Sequence, residues 1–108
     1  METDRISNVT LEPQFLETIK KAAVSFPEIE TITLFGSRAM QTARKASDID
    51  LALSGQNVTR ATGLLFHDVL NQETMIPYFM DVLVYSLIEN RELREHINRF
   101  GVVIYEKG

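Results

Sequence analysis

The sequence predicts one α/β (α+β) domain, in which a small mixed β-sheet is flanked by helices. Apolar residues recur at helical spacing in three segments, 11–26, 58–72 and 89–100. Four short runs of β-branched or alternating apolar residues lie between and after these segments. The resulting order, α-β-β-α-β-α-β, fits a single domain of 108 residues whose sheet is covered by helices.

The predicted helices also carry signals at their ends. Thr10 suits the N-cap of the first helix, and Pro27 ends that helix. Asn90 suits the N-cap of the third helix, and Gly101 is expected to adopt the left-handed conformation that ends many helices. In the second helix, Ala61, Leu65 and Val69 are predicted to line one apolar stripe, flanked by Leu64, Phe66 and Leu70.

Four segments are predicted to be strands. Residues 31–35 are largely β-branched and run directly into Gly36, and residues 48–54 alternate between apolar and polar or small side chains. Residues 79–87 are apolar on both faces, which predicts a central position in the sheet. Residues 102–105 are predicted to form the last strand.

Composition narrows the classes of function. The formal net charge is −4, so the chain does not carry the basic composition expected for binding a long nucleic acid. The chain has no cysteine, which excludes disulfides and thiolate metal sites and fits a cytoplasmic protein. No apolar run reaches the roughly 18 residues of a membrane span, and residues 1–9 are expected to be a flexible lead rather than a signal peptide. We therefore expect a small molecule or a protein as the substrate.

A glycine–serine pair at the end of the first predicted strand is a candidate phosphate site. Gly36 allows a ligand to approach the backbone closely, and N–H groups at the start of a helical turn favour an anion. The Ser37 hydroxyl adds one more donor. The pair alone is typical of an ordinary turn, but the aspartates that follow it favour phosphate binding.

Asp48 and Asp50 are candidate metal ligands. Alternation along a strand places both carboxylates on one face, roughly 6.6 Å apart along the backbone. Two like charges on one face repel each other unless a cation lies between them. Oxygen ligands of this kind suit Mg²⁺, which also binds substrate phosphates. The alternative is a solvated strand face without a metal.

Asp81 is a candidate third carboxylate. It lies within an apolar run, where an unpaired carboxylate is costly. On a strand adjacent to that of Asp48 and Asp50, it would complete a two-metal site for in-line phosphoryl transfer. Asp48 and Asp50 would hold both ions, and Asp81 would bind the ion on the nucleophile side and help to deprotonate the attacking hydroxyl. The alternative is that Asp81 only marks the start of a strand.

Five further polar residues are less specific. Arg38 either contacts the triphosphate of a bound nucleotide or is a charged surface residue. Ser47 either caps a turn before the acidic pair or contacts that nucleotide. Arg44 and Lys45 are expected to be solvated loop residues. His67 lies in the middle of a predicted helix and is expected to be structural or exposed rather than catalytic.

The strings GSRA (36–39) and SDIDLAL (47–53) resemble the signature of the DNA polymerase β-like nucleotidyltransferase superfamily, and of its minimal branch, the MNT domains. The resemblance spans about residues 11–105 and includes the ending NRFGVVIYE. One departure is the pair Met40-Gln41, because many MNT domains have a glycine two residues after the alanine of GSRA.

The resemblance implies a polymerase β-like fold and an enzyme that uses two Mg²⁺ ions and ATP. MNT proteins of this size are typically antitoxins that bind a HEPN-domain toxin and transfer AMP to one of its tyrosines. Two alternatives stay open: an inactive MNT antitoxin that neutralises the toxin by direct binding, and nucleotidyl transfer to a small molecule or an RNA end. A homo- or hetero-oligomer is compatible with either. The implied nucleotide-binding residues are Gly36, Ser37, Arg38 and Ser47, and the implied catalytic and metal-binding residues are Asp48, Asp50 and Asp81.

Overall fold

The computed structural model describes residues 9–44 and 46–108. In this part of the chain the helices and strands are α1 Pro13–Val24, β1 Thr31–Phe35, β2 Ile49–Ser54, α2 Arg60–Gln72, β3 Met80–Val84, α3 Arg91–Phe100 and β4 Val102–Glu106. Two short 3-10 turns, Gly36–Arg38 and Tyr85–Leu87, follow β1 and β3. The predicted class and the predicted order of elements are confirmed.

The four strands form one mixed sheet in the order β3-β2-β1-β4. β1 is antiparallel to both β2 and β4, whereas β2 and β3 are parallel and are joined through α2. One face of the sheet packs against α1 and α2, and its core includes the fully buried side chains of Ile32, Leu51 and Phe66. The opposite face packs against α3 through a smaller cluster around Phe35 and Ile97.

The predicted central position of β3 is wrong, because β3 is an edge strand that pairs only with β2. Its apolar character on both faces has another cause. Val82 packs against the main core, and Leu83 packs against the smaller cluster on the opposite face. Helices therefore cover both faces of an edge strand, and this burial selects apolar side chains as a central position would.

The predicted core stripe of α2 is also wrong. Ala61, Leu64 and Leu65 are exposed, Val69 is only half-buried, and the buried positions are Thr62, Gly63, Phe66 and Leu70. The cause is close packing at Gly63, where an added Cβ would lie 2.9 Å from Cγ2 of Val84. The helix turns its smallest residue towards β3, and this rotates the larger apolar side chains at 64 and 65 to the surface.

Of three residues predicted to cap or end helices, the structure confirms one and contradicts two. Asn90 caps α3 as predicted, since its side chain accepts a hydrogen bond from the Leu93 N–H at 3.0 Å. Thr10 does not cap α1: the N-cap is Glu12, because Pro13 takes the first helical position. Gly101 is extended, with φ −67° and ψ 150°, and not left-handed. Glycine is needed there because an added Cβ would collide with the Ile97 carbonyl and the Thr33 side chain.

The start of the described chain is anchored. Val9 packs against the main core, and the Thr10 N–H donates to the Arg38 carbonyl at 2.8 Å. The expectations of flexibility for residues 1–8 and of a solvated Lys45 concern positions outside the described residues. Within residues 9–44 and 46–108, no helix is long and apolar enough to cross a membrane.

Candidate active site

The turn that follows β1 brings a glycine against a carboxylate. Gly36 adopts the left-handed conformation, with φ +75°. A Cβ added at this residue would overlap the carboxylate of Asp50, whose backbone pairs with Phe35 in the sheet. Glycine is therefore required at this position for two reasons: the left-handed backbone conformation, and the space that the Asp50 carboxylate occupies.

Two of the three predicted carboxylates are direct neighbours across the sheet. Asp50 in β2 is the register partner of Asp81 in β3, and strands in a sheet lie about 4.8 Å apart. Burial, followed by the negative charges of Asp81 and Asp48, raises the pKa of Asp50 from 3.8 to about 6. Arg38 and His96 act in the opposite direction on this pKa and do not offset the rise. The sheet thus gathers three carboxylates without enough positive charge of its own to balance them.

This donor set fits a divalent cation in its chemistry. All the ligand atoms are carboxylate oxygens, the type that Mg²⁺ prefers, and an uncompensated group of negative charges favours a cation. The side chains are not already closed around a single point: among residues 9–44 and 46–108, no three acidic or histidine side chains form a metal-holding group. Asp48 and Asp81 are exposed, so changes of side-chain rotamer can bring their oxygens towards Asp50.

The exposure of Asp81 corrects one step of the sequence argument. Asp81 lies in an apolar strand as predicted, but its side chain is not buried. Because β3 is the edge of the sheet, the carboxylate reaches solvent and does not need a metal to avoid a burial cost. What points to a metal is instead its register with Asp50.

Arg38 is neither surface charge nor freely available to a ligand. Its side chain is buried, and Nε and Nη2 donate to the Ser47 carbonyl at 3.0 and 2.7 Å. Nη1 donates to the Thr10 carbonyl at 2.8 Å, and the guanidinium lies 4.1 Å from the centre of the Tyr78 ring. These contacts favour a role in tying the chain before α1 to the segment that precedes β2.

Ser47 closes the loop that leads to the acidic pair. Its hydroxyl accepts a hydrogen bond from the Arg44 N–H at 2.8 Å, while its carbonyl receives the two bonds from Arg38. The predicted turn-capping role of Ser47 is confirmed by this geometry. Its contact with a nucleotide stays a prediction, as does that of Ser37, whose carbonyl accepts from the Thr42 N–H at 2.9 Å.

Gln41, which departs from the MNT pattern, has a strained backbone conformation. Gln41 has φ +61°, a left-handed conformation that costs an L-residue about 1–2 kcal/mol and that glycine adopts readily. A glycine here, as the MNT pattern given above has it, would adopt this conformation without that cost. The turn of residues 36–41 is compact, with the N–H groups of Ala39 and Met40 both donating to the Gly36 carbonyl.

Sequence reasoning missed His96. This residue lies on α3 with its ring 6.5 Å from that of Phe35 and 5.4 Å from that of Phe100, and its charge lowers the pKa of Asp50. The helical spacing of 96 and 100 was a usable signal, but only the packing of α3 on the sheet shows that this side of the helix faces the carboxylates. His67, by contrast, lies on α2 with Nδ1 3.3 Å from Oδ1 of Asp68, and it does not contribute to the shift in the pKa of Asp50.

Comparisons with known proteins agree with this architecture. A family model described as polymerase beta nucleotidyltransferase matches residues 17–108. A toxin–antitoxin crystallised with AMP-PNP superposes with a TM-score of 0.71 and 19% identity, over 85% of this chain and 73% of that chain. The toxin–antitoxin MntA-HepT gives a TM-score of 0.67 and 16% identity, over 89% and 74% of the respective chains. No curated protein sequence matches the chain.

At these identities the structural matches establish a shared fold and no more. The family match is stronger, because it spans most of the chain. It includes the turn of residues 36–38 and all three carboxylates of the site. The protein therefore belongs to the polymerase β nucleotidyltransferase family.

Proposed function

We propose that the protein is a Mg²⁺-dependent nucleotidyltransferase that transfers AMP from ATP to a tyrosine hydroxyl of a HEPN-domain toxin, and so acts as its antitoxin. The observation that carries this proposal is the register of Asp50 with Asp81 beside the left-handed Gly36. Family membership supplies the class of reaction. Similarity to two toxin–antitoxin structures, one crystallised with AMP-PNP, supports the nucleotide and the partner.

The metal would be held by the three carboxylates. Asp48 and Asp50 flank Ile49 at the start of β2, and Asp81 adds a carboxylate from β3. When bound, Mg²⁺ supplies the positive charge that holds the triphosphate and stabilises the leaving pyrophosphate. The raised pKa of Asp50 is consistent with this role, because it indicates that the negative charges of the site are not neutralised in the metal-free chain.

The chain's own groups position the reactants. Gly36 and the Ser37 hydroxyl bind the β- and γ-phosphates at the turn, where backbone N–H groups favour an anion. The acceptor oxygen attacks the α-phosphorus, the bond from that phosphorus to the bridging oxygen of pyrophosphate breaks, and the hydroxyl proton passes to Asp81. We assign Arg38 and Ser47 to holding this loop in place, because their hydrogen bonds join it to Thr10.

The test is transfer of label from ATP. The purified chain is incubated with ATP labelled at the α-phosphate, Mg²⁺ and a candidate partner, a HEPN-domain protein. We expect label on that protein, mapped to a tyrosine by mass spectrometry. The double variant Asp48→Asn/Asp50→Asn should not transfer label, whereas the matched control Asp68→Asn, an exposed aspartate on α2, should do so.

A second candidate function is neutralisation by binding alone. One observation favours it: the strained backbone of Gln41 in the turn that follows β1. In that case the double variant would still neutralise the toxin in cells that co-express both proteins, and no label would appear. Label on an RNA end or a small molecule, and not on the HEPN protein, would support the remaining alternative instead.

A further inference from the structure

An open groove runs along the outer side of β3. It has a volume of about 550 Å³ and lies between one wall from α2, which includes Leu64, and a second wall from the segment after β3, which includes Leu87. Its floor is β3 itself, from Asp81 to Val84. Leu64 and Leu87 are 63% and 47% exposed, so both apolar side chains are accessible to a partner that enters the groove.

The backbone of β3 alternates towards and away from the sheet. The Phe79 carbonyl faces β2, where it accepts from the Ile49 N–H at 2.9 Å. The N–H and the carbonyl of Met80 face the other way and are both bound at 2.9 Å by the side-chain amide of Asn71, which takes the place of a neighbouring strand. The same alternation directs the N–H and carbonyl of Val82 and Val84 outwards, towards the groove. The groove floor is therefore an unpaired strand edge beyond the point that Asn71 covers.

This groove is continuous with the candidate active site, because Asp81 belongs to both. A strand added beside β3 would lie about 4.8 Å from it. A residue of that strand opposite Asp81 could direct its side chain to the same face of the sheet as Asp50. An acceptor hydroxyl bound in the groove would thus meet the carboxylate that receives its proton.

The charged residues that line the groove favour a polypeptide acceptor over an RNA end. Its ionisable lining residues are Arg60 and His67 on one side, and Asp81 and Glu89 on the other, so the groove has no net positive charge at neutral pH. An RNA end requires a positively charged channel for its phosphates. An extended polypeptide with apolar side chains matches both the exposed strand edge and the apolar lining residues Leu64, Val82 and Leu87.

We propose that the outer edge of β3 is the acceptor site, where an extended segment of the partner toxin adds to the sheet as a fifth strand and presents its tyrosine to Asp81. This inference rests on the proposed function, which it deepens by naming how the acceptor binds. The covalent step is the one already given: the tyrosine oxygen gains the α-phosphorus of ATP, pyrophosphate leaves, and the hydroxyl proton passes to Asp81.

The test uses two neighbouring leucines of α2. Leu64→Glu places a charge in the groove, whereas Leu65→Glu places one at a position that is 59% exposed and outside the groove lining. We expect Leu64→Glu to weaken binding of the HEPN-domain protein used in the transfer test at least tenfold and to lower AMP transfer to it in parallel. Affinity for ATP with Mg²⁺ should be unchanged in both variants, and Leu65→Glu should bind the toxin as the unmodified chain does.

Amide hydrogen exchange, measured on the unmodified chain with and without the toxin, is a second test that needs no variant. We expect the amides of Val82 and Val84 to gain protection on toxin binding. Equal toxin binding by the two glutamate variants, or unchanged exchange at both valines, would overturn the acceptor site. If the unmodified chain transfers no AMP while these binding effects persist, the proposed function fails and the docking surface stands. Transfer to an RNA oligonucleotide in place of the toxin would overturn both.

Discussion

Replacing Asp50 with asparagine should stabilise the metal-free protein at neutral pH. The pKa of Asp50 in the folded chain is about 6, against 3.8 for the ordinary group, because burial and the charges of Asp81 and Asp48 oppose ionisation. The folded state therefore binds this proton more tightly than the unfolded state does. The resulting stability is fully present below pH 3.8 and is lost as the pH rises through about 6.

The size of the effect follows from this difference. Each pH unit between the two pKa values is worth about 1.4 kcal/mol, which gives an upper limit of about 3 kcal/mol at pH 7.5. Solvent screening of the half-buried Asp50 lowers the expected gain for Asp50→Asn to about 1–2 kcal/mol. For a domain of this size each kcal/mol is worth about 4–8 °C, so that gain raises the melting temperature by about 4–16 °C.

The assay is thermal unfolding in EDTA at several pH values. At pH 7.5 Asp50→Asn should melt above the unmodified chain. The difference should shrink as the pH falls below about 6 and vanish below pH 3.8, where Asp50 is protonated in the folded and the unfolded chain alike. Glu17→Gln removes a solvent-exposed carboxylate from α1 and should leave stability within about 0.5 kcal/mol at every pH. A lower melting temperature for Asp50→Asn at pH 7.5, or a difference from the unmodified chain that does not vary with pH, would refute the reasoning.

Three further substitutions test the turn and its anchor. Gly36→Ala should destabilise the fold by at least about 1–2 kcal/mol in urea unfolding, because it forces a Cβ into a left-handed residue and against Asp50. Gln41→Gly should change the free energy of unfolding by between zero and about 1 kcal/mol in the stabilising direction, since relief of strain exceeds the added chain entropy; a clear loss in urea unfolding would contradict this. Arg38→Lys keeps the charge but not the paired bonds to Ser47, and should lower the free energy of unfolding by about 2 kcal/mol without nucleotide present; unchanged stability would favour a direct role in binding phosphate.

The sequence predicted the parts of this site that depend on local spacing. Alternation in β2 and the position of Gly36 at a strand end were visible in the order of residues, and so was the order of the elements. The edge position of β3 was not, since an edge strand covered by helices on both faces has the same composition as a central strand. The rotation of α2 was missed for a related reason: it depends on contact between Gly63 and Val84, which are distant in sequence.

The strain and charge of this fold are concentrated in one place. Among the described residues, the positive φ angles belong to Gly36 and Gln41, at the two ends of the turn that follows β1. Asp50, whose charged form is disfavoured, lies against the first of them. Neither the positive φ angles nor the disfavoured charge of Asp50 stabilises the domain. Burial of leucines and isoleucines on the opposite face of the sheet must offset both costs. A cation and a triphosphate bound as proposed would relieve the charge and occupy the turn, so the energy lost in the free protein would be recovered as affinity. For this reason we expect cation and nucleotide to bind more tightly together than either does alone.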